Sequence, residues 1–373
     1  MLYLDNAATT LKKPFSVYAS LMKNTVFGGG NAGRGSHKQS MSAVRTIVDT
    51  QDLIAELFNI SRPQNIIFTQ NATYALNTAI FGTVRTGGHI VITSMEHNSV
   101  LRPAYMLGNY TVVNADKTGL VHAEDIENAI RDDTCLIVCT HASNVCGTIE
   151  PVCEIGNIAE KYGIPFLVDT AQTAGCLGID AKEMKADMIA FSGHKGLMGP
   201  LGTGGLYVKN PELLKPLVVG GTGSNSESIV QPDFMPDKFH SGTMNTPSIA
   251  ALGAGVRYVL KHGADAIGAY EKSLSTEFRD NLFNMKNVDV YGNLDSVATV
   301  AFNIGTLASE ETFERLHGQA SVRAGYHCAP LAHRTLGTSK RGAVRVSFGI
   351  FNNERDVKRI TDLVYRISNE VKG

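Results

Sequence analysis

Short apolar runs alternate with amphipathic stretches between residues 40 and 210, and this pattern constrains the fold more than any other feature of the chain. Strands separated by helix-length amphipathic segments are typical of a parallel sheet with helices on both faces. The predicted strands are 65–69, 89–93, 134–140, 165–169, 187–191 and 204–208. The predicted helices are 43–58, 72–80, 98–107, 123–131 and 153–162. The sequence therefore predicts a doubly wound, mostly parallel α/β sheet.

A second, smaller body is predicted toward the C-terminus. The Gly-, Ser- and Pro-rich segment 220–236 interrupts the periodicity and favours a long loop. Beyond it, an α+β pattern is predicted from helices at 247–261, 265–285 and 354–371 and short strands at 288–291, 297–303 and 343–348. We therefore expect a large domain of residues 15–250 and a smaller domain of residues 1–14 and 251–373.

The composition narrows the class of protein. Of 373 residues, 43% are hydrophobic and 18% charged, so the chain can bury a large core. The formal net charge of -1 gives no basic footprint, and we predict no nucleic-acid partner. We also predict no membrane association. A charge at Asp5 comes too early for the apolar core of a signal peptide, and no later apolar run is long enough to span a bilayer.

The cysteine content favours reduced thiols. Six cysteines in a chain of this length, without a secretory signal, do not predict a disulfide framework, and we expect a cytoplasmic protein. The pairs Cys135 and Cys139, and Cys146 and Cys153, lack the neighbouring ligands of a zinc site. We interpret these four cysteines as small apolar residues of buried strands and predict no metal site.

Polar residues follow five of the predicted strands at the point where each strand ends. In open α/β sheets, ligands bind outside the carboxyl ends of the strands. A single polar residue there is usually a turn or a helix cap, but five strand ends together favour a binding site. The segments are Gln70–Thr73, Ser94–His97, His141–Asn144, Asp169 with Gln172, and Ser192–Lys195.

The segment Asn71-Ala72-Thr73 opens a predicted helix and is suited to a phosphate. The first turn of a helix offers free backbone N–H groups and the positive end of the helix dipole. Simple capping of the helix is the alternative. Ser192 and His194 could supply further donors to the same phosphate.

Lys195 is more informative than a surface lysine because Gly193 and Gly196 leave space for a bulky group beside it. A lysine amine condenses with an aldehyde. At a neighbouring strand end, Asp169 could pair with a pyridine nitrogen and keep it protonated, which makes the ring an electron sink. The alternatives for Asp169 are an N-cap or a Mg²⁺ ligand, although no Walker-type glycine loop accompanies it.

Taken together, the motifs resemble those of the class V aminotransferase-like, fold-type I pyridoxal-phosphate enzymes, specifically cysteine desulfurases and selenocysteine lyases. The similarity runs almost from end to end. It is carried by Tyr3–Thr10, Asn31–His37, Thr69–Thr73, Glu96-His97, His141–Thr148, Val168–Gln172, Phe191–Lys195, Ser241–Thr243 and Arg323–Cys328.

The resemblance implies roles around the cofactor, pyridoxal 5'-phosphate. Lys195 would hold it as a Schiff base and later move the α-proton of the substrate. Asp169 would pair with the pyridinium nitrogen, His97 would stack on the ring, and Gln172 would contact its phenolic oxygen. The residues implied to hold the phosphate are Ala72, Thr73, Ser192 and His194.

The resemblance also implies contacts with a partner subunit and with the substrate. Thr243 would reach the phosphate of the neighbouring subunit, which implies a homodimer. Asn144, which also lies among the implied cofactor contacts, would bind the substrate carboxylate together with Arg323 and Arg345. Of the two arginines, Arg345 is the better candidate for the salt bridge, because a bidentate guanidinium suits a carboxylate.

Cys328 distinguishes between subfamilies. A desulfurase needs a thiolate that attacks the sulfur of the substrate, on a mobile segment near the cofactor. The sequence Arg323-Ala-Gly-Tyr-His-Cys328 predicts that role. The products would be L-alanine and a Cys328 persulfide, which passes its sulfur to a thiol, a reductant or an acceptor protein.

Several alternatives stay open. A selenocysteine lyase or cysteine sulfinate desulfinase would use the same lysine, aspartate and arginines but not depend on Cys328. An aminotransferase or epimerase of the same fold would release no sulfide, and a non-catalytic dimeric scaffold would bind no cofactor. The segment after Cys328 is one residue shorter than is usual in the family, and loop 220–236 is longer. These departures leave the acceptor, the substrate preference and the pathway, iron–sulfur cluster assembly included, undetermined.

Overall fold

The structure, a computed structural model, describes residues 1–28, 30–33 and 35–371. Arg34, which belongs to the motif Asn31–His37, lies outside the described residues, as do the last two residues of the predicted small domain.

Strands and helices alternate along most of the chain. The strands are β1 (Leu2–Tyr3), β2 (Ile66–Thr69), β3 (His89–Thr93), β4 (Tyr110–Val113), β5 (Thr134–Thr140), β6 (Phe166–Asp169), β7 (Met188–Ser192), β8 (Gly204–Val208), β9 (Val288–Tyr291), β10 (Thr299–Ile304), β11 (Ala320–Ser321), β12 (Arg323–Gly325) and β13 (Ala343–Ser347). The α-helices are α1 (Phe15–Phe27), α2 (Lys38–Leu57), α3 (Ala72–Thr83), α4 (Asn98–Leu107), α5 (Ala123–Asn128), α6 (Val152–Tyr162), α7 (Thr246–His262), α8 (Ala264–Phe283), α9 (Ser309–Leu316), α10 (Pro330–Thr335) and α11 (Glu354–Glu370).

The central sheet has seven strands within the described ranges, in the order β2-β8-β7-β6-β5-β3-β4. β8 runs antiparallel to both of its neighbours, and the other strands pair in parallel. Every residue of β3, β7 and β8 is buried, as expected of strands covered by helices on both faces. The predicted mostly parallel α/β fold is confirmed.

Alternate residues of the central strands pack into two separate cores. Ile137 and Phe166 lie in the core on one face of the sheet, and Leu136 and Leu167 lie in the core on the other. On the first face, the rings of Phe58 and Phe191 meet edge to face at 5.5 Å. Because successive side chains of a strand point to opposite faces, both cores fix the same strand register. They hold the carboxyl ends of the strands at one edge.

The smaller sheet is antiparallel, in the order β12-β13-β10-β9. Phe278 of α8 packs against Phe302 of β10 and Phe348, with centroid distances of 5.9 and 5.8 Å. The N-terminal strand β1 pairs with β11 beside this sheet. The boundaries at residues 15 and 250 stay a prediction. None of the helices in the described part of the chain has the length and apolar character needed to cross a membrane.

Candidate active site

The carboxyl edge of the central sheet encloses a cavity of about 110 Å³. Strand ends and the helix starts that follow them supply its walls. The lining residues are Asn71, Ala72, Thr73, Leu76, His97, Ser99, Thr140, Asn144, Asp169, Ala171, Gln172, Ser192, His194 and Lys195. Apart from Thr243, every residue predicted to contact the cofactor therefore lies at this one cavity.

Lys195 follows β7 in a tight turn that depends on two glycines. A Cβ on Gly193 would collide with Oγ1 of Thr203, and a Cβ on Gly196 would collide with the carbonyl oxygen of Ala174. Burial lowers the pKa of Lys195 to about 8, while the nearby Asp169 opposes that shift. Because a neutral amine is the nucleophilic form, burial gives this lysine a larger reactive fraction near neutral pH than an ordinary lysine has.

Asp169 is the last residue of β6 and is almost fully buried. Its Oδ1 accepts a hydrogen bond from the backbone N–H of Ala171 at 2.9 Å. Burial raises the pKa of Asp169, while that hydrogen bond and the charge of Lys195 lower it. A buried carboxylate of this kind calls for a cationic partner in the cavity.

His97 is the N-cap of α4 and has a neutral ring. Its Nδ1 accepts the backbone N–H of Ser99 at 3.1 Å. Burial, followed by the charge of Lys195, lowers the pKa of His97 to about 4. Ser99, whose role the sequence did not predict, also places its Oγ 2.8 Å from Oγ1 of Thr73. The same Oγ lies 2.8 Å from Nδ1 of His97, so the hydroxyl of Ser99 connects the ring of His97 to the start of α3.

The N-terminus of α3 faces the same cavity. The side chain of Asn71 caps the helix by accepting the N–H of Tyr74 at 3.0 Å, and its carbonyl accepts the N–H of Ala75. This cap does not use the N–H groups of Ala72 and Thr73, which are left to an anion in the cavity.

The N-terminal segment closes the other side of the site. Gln172 donates from Nε2 to the carbonyl of Ala7 at 3.2 Å, and Nδ1 of His194 lies 3.0 Å from Oγ1 of Thr9. Lys13 donates to the carbonyl of His194 at 2.7 Å. Burial lowers the pKa of Lys13 to about 8 and that of His194 to about 4.

Arg345 is the buried centre of the predicted carboxylate-binding group. Its Nη1 donates to the carbonyl of Asn144 at 2.8 Å and its Nη2 to Oδ1 of Asp5 at 2.8 Å. Arg323 lies 3.6 Å from Oδ2 of the same aspartate and is half-exposed. The structure thus brings the three predicted carboxylate ligands together. Asp5 belongs to the group as well, although the sequence assigned it no role there.

Cys328 is exposed on a tight turn that is attached to the cavity wall. The N–H of Ala329 donates to the carbonyl of Tyr326 at 2.9 Å, and His327 and Cys328 have φ values of 49° and 57°. These values are typical of a type I′ turn, which is costly for residues other than glycine. Asn144 donates to the carbonyl of His327 at 2.7 Å, so one cavity residue holds the turn directly.

Thr243 does not line the cavity around Lys195. It lies at a second cavity of about 490 Å³, together with Gln70, Tyr74 and His240. Within one chain, the structure therefore does not bring Thr243 to the predicted phosphate site.

Known proteins are similar to this chain over nearly its whole length. The family model for class-V aminotransferases matches residues 2–360. A probable cysteine desulfurase of Methanothermobacter thermautotrophicus is 32% identical over 380 residues, covering 98% of this chain and 94% of that protein. One of Pyrococcus abyssi is 32% identical over 393 residues, covering 100% and 96%. The apo structure of a cysteine desulfurase from Thermococcus onnurineus has a TM-score of 0.92 and 30% identity, covering 99% of this chain and 95% of that one.

Proposed function

Because this chain belongs to the class-V aminotransferase family, we propose that it is a pyridoxal-phosphate-dependent cysteine desulfurase. It converts L-cysteine to L-alanine and leaves the sulfur on Cys328 as a persulfide. The two relatives described above are named as probable cysteine desulfurases and the solved structure as a cysteine desulfurase, and all three are similar to this chain along nearly its whole length.

The donor set of the cavity fits pyridoxal phosphate. Lys195 offers a buried amine for an aldehyde, and Asp169 a buried carboxylate for a pyridinium nitrogen. The free N–H groups of Ala72 and Thr73 would hold the phosphate, with Ser192 and His194 beside them. When bound, the group would supply a protonated ring that accepts negative charge from the α-carbon of the substrate.

The surrounding residues orient the substrate and move its proton. Arg345 and Asn144 bind the α-carboxylate, which places the α-hydrogen near the amine of Lys195. That amine removes the α-proton, because its pKa of about 8 lets it accept and return a proton near neutral pH. The ring of His97, neutral because its pKa is about 4, covers the site without adding a charge.

The position of Cys328 is the observation that supports a desulfurase over the other activities of the family. The carbonyl of Cys328 accepts the N–H of Asn98 at 2.7 Å, and Asn98 directly follows His97 in the cavity wall. The side chain of Cys328 is nevertheless exposed. An exposed thiol on a turn held by Asn144 and Asn98 can attack the substrate sulfur and then present the persulfide to an acceptor outside. A buried, structural cysteine could not do both.

The test is the release of sulfide and alanine from L-cysteine in the presence of a thiol reductant. Wild type and Cys328→Ala are compared after visible absorbance has shown that both bind the cofactor. We expect equimolar products from wild type and none from the variant. Cys153→Ala, which removes a partly buried cysteine of α6, is the matched control and should behave as wild type.

Two results would contradict the proposed function. If wild type is inactive on cysteine but cleaves selenocysteine or cysteine sulfinate, the chain is a lyase or a desulfinase. If Cys328→Ala still releases sulfide at the rate of wild type, the thiol is not the sulfur acceptor.

The assembly and the location belong to the same proposal. Thr243 would serve the phosphate of a second copy, so the functional unit would be a homodimer. The persulfide would pass to a small thiol or to an acceptor protein. A cytoplasmic location fits an exposed thiol that must stay reduced.

A further inference from the structure

Two arginines stand directly opposite each other on neighbouring strands of the smaller sheet. Arg323 of β12 pairs in register with Arg345 of β13. Like charges at directly opposed positions repel each other. Arg345 is only 2% exposed, so solvent does little to screen its charge. This pair of cations needs an anion between them.

Asp5 is that anion. One of its carboxylate oxygens lies 2.8 Å from Nη2 of Arg345 and the other 3.6 Å from Nη1 of Arg323. The segment around Asp5 is fixed by a β-bridge to Ser347, and the N–H of Ala7 donates to Oγ of Ser347 at 2.8 Å. Asp5 is therefore a built-in part of the site.

The group keeps one uncompensated positive charge. Two guanidinium groups and one carboxylate leave a single net charge for a ligand to neutralise. Nε of Arg345 is buried without a hydrogen-bond partner among the described residues. A buried donor in this state indicates an acceptor that arrives with the ligand. One carboxylate satisfies both the charge and the donor.

We propose that Asp5 is a specificity-determining residue. It reduces the net charge of the arginine pair to a single positive charge, which one carboxylate neutralises, so the site favours amino acids with a single anionic group, such as cysteine. It disfavours those with a second anion on the side chain, such as cysteine sulfinate. This inference rests on the proposed function, in which Arg345 binds the substrate carboxylate.

The physical basis is repulsion in a site with little solvent. A second anion on the ligand is repelled by the negative charge of Asp5, while the positive charge of the two arginines is already neutralised by Asp5 and the α-carboxylate. Charges interact strongly at short distance where water is largely excluded. Selectivity through a repulsive group is a general way of rejecting a close competitor.

The test measures binding of two amino acids that carry no sulfur. The holoenzyme is titrated with L-alanine and with L-aspartate, which has the shape and charge of cysteine sulfinate, and the absorbance of the cofactor reports binding. The quantity of interest is the Kd for L-aspartate divided by the Kd for L-alanine. We expect Asp5→Asn to lower this ratio at least about tenfold, because one negative charge is removed beside the ligand.

Two variants serve as controls. Asp5→Glu keeps the charge and should keep the ratio of wild type. Asp289→Asn makes the same chemical change at a surface carboxylate that accepts a hydrogen bond from Arg341 at 2.7 Å. It should also leave the ratio unchanged.

The outcomes separate the inference from the proposed function. If neither amino acid changes the cofactor absorbance of wild type, the proposed function fails. If both bind to wild type and Asp5→Asn weakens them equally or leaves the ratio unchanged, Asp5 is only structural and the inference is overturned.

A second variant covers the case in which Asp5→Asn does not hold the cofactor. Arg323→Gln removes a cation instead of an anion. The Kd for L-aspartate divided by the Kd for L-alanine should therefore rise. An unchanged ratio in Arg323→Gln would then overturn the inference.

Discussion

The amine of Lys195 shows how one residue acquires reactivity from its surroundings. An ordinary lysine is protonated at neutral pH and therefore not nucleophilic. Burial favours the neutral form and lowers the pKa of Lys195 to about 8, from a normal value of 10.5. Asp169 opposes this shift, so the lysine retains a substantial protonated fraction at neutral pH.

This pKa predicts the pH dependence of cofactor uptake by the apoprotein. Only the unprotonated amine condenses with the aldehyde, so the rate should rise with pH below the pKa and level off above about 8. Below the pKa the rise should approach about tenfold per pH unit. The measurement follows visible absorbance after pyridoxal phosphate is mixed with apoprotein across a pH series.

Nα-acetyl-lysine in free solution, whose side-chain amine is unmodified, is the control. Its rate of condensation should level off at the pKa of an ordinary lysine, 10.5. A rate for the protein that also levels off only above about pH 10, as for an ordinary lysine, would contradict the inferred effect of burial.

At the scale of single residues, the sequence predicted the placement of the residues that follow strands. Lys195 and Asp169 could be placed because strand ends meet at one edge of a parallel sheet. Asp5 could not be assigned its role, because its partner Arg345 is 340 residues away and the contact depends on how the smaller sheet assembles. Ser99 was missed for another reason, since a serine near the start of a helix usually has only a capping role.

The start of α3 combines a structural and a binding task in one element. Asn71 satisfies the N–H of Tyr74 and leaves the preceding N–H groups to the cavity. Loss of the cap should fray the first turn and thereby disorder the donors implied to hold the phosphate.

Asn71→Ala should therefore weaken both folding and cofactor binding. The loss of an N-cap costs about 1 kcal/mol of unfolding free energy. The same substitution at Asn353, which caps α11 by accepting the N–H of Arg355 at 3.0 Å, is the matched control. We expect similar losses of apoprotein stability in denaturant titrations of both variants. Only Asn71→Ala should raise the Kd for pyridoxal phosphate.

Equal affinity for the cofactor in the two variants would mean that α3 does not bind the phosphate. Unequal stability losses with equal affinity would lead to the same conclusion, because affinity is the quantity that separates the two helices.

At the scale of elements, regular patterns were predicted well and irregular ones were not. β5, β8 and α4 have the bounds that the sequence predicted. The edge strand β4, Tyr110–Val113, was missed because it is short and partly exposed. α1 was also missed, since Phe15, Met22 and Phe27 are exposed and blur its amphipathic pattern. The type I′ turn before Ala329 had no signal, because histidine and cysteine are not usual left-handed residues.

At the scale of the whole molecule, two surfaces suggest a second copy of the chain. α1 exposes large apolar side chains, Phe15, Met22 and Phe27 among them. Exposed apolar surface of this kind is typical of an interface. Thr243 lies at a cavity separate from that of Lys195 in the same chain. Both features fit a symmetric dimer in which each subunit completes the site of the other.

A shared site predicts complementation between two inactive variants. Lys195→Ala lacks the reactive amine, and Thr243→Asp places a negative charge where the partner's phosphate would bind. Each homodimer should release little or no sulfide from L-cysteine. In a hybrid, the subunit with an intact Lys195 receives an intact Thr243 from its partner, so one site per hybrid is complete. Hybrid dimers should then have roughly half of the working sites of wild-type dimers.

The two variants are produced together with different affinity tags, and sulfide release is measured on dimers that carry both tags. The Lys195→Ala homodimer, purified in the same way, provides the baseline. Activity in the hybrids, with both homodimers inactive, means that the two residues of one working site come from different chains. Inactive hybrids would mean that the two chains do not complete each other's site, and a Thr243→Asp homodimer that is itself active would place Thr243 outside the phosphate site. Thr243 would then have only a local role in its own cavity, and the argument for a shared site would rest on the exposed face of α1 alone.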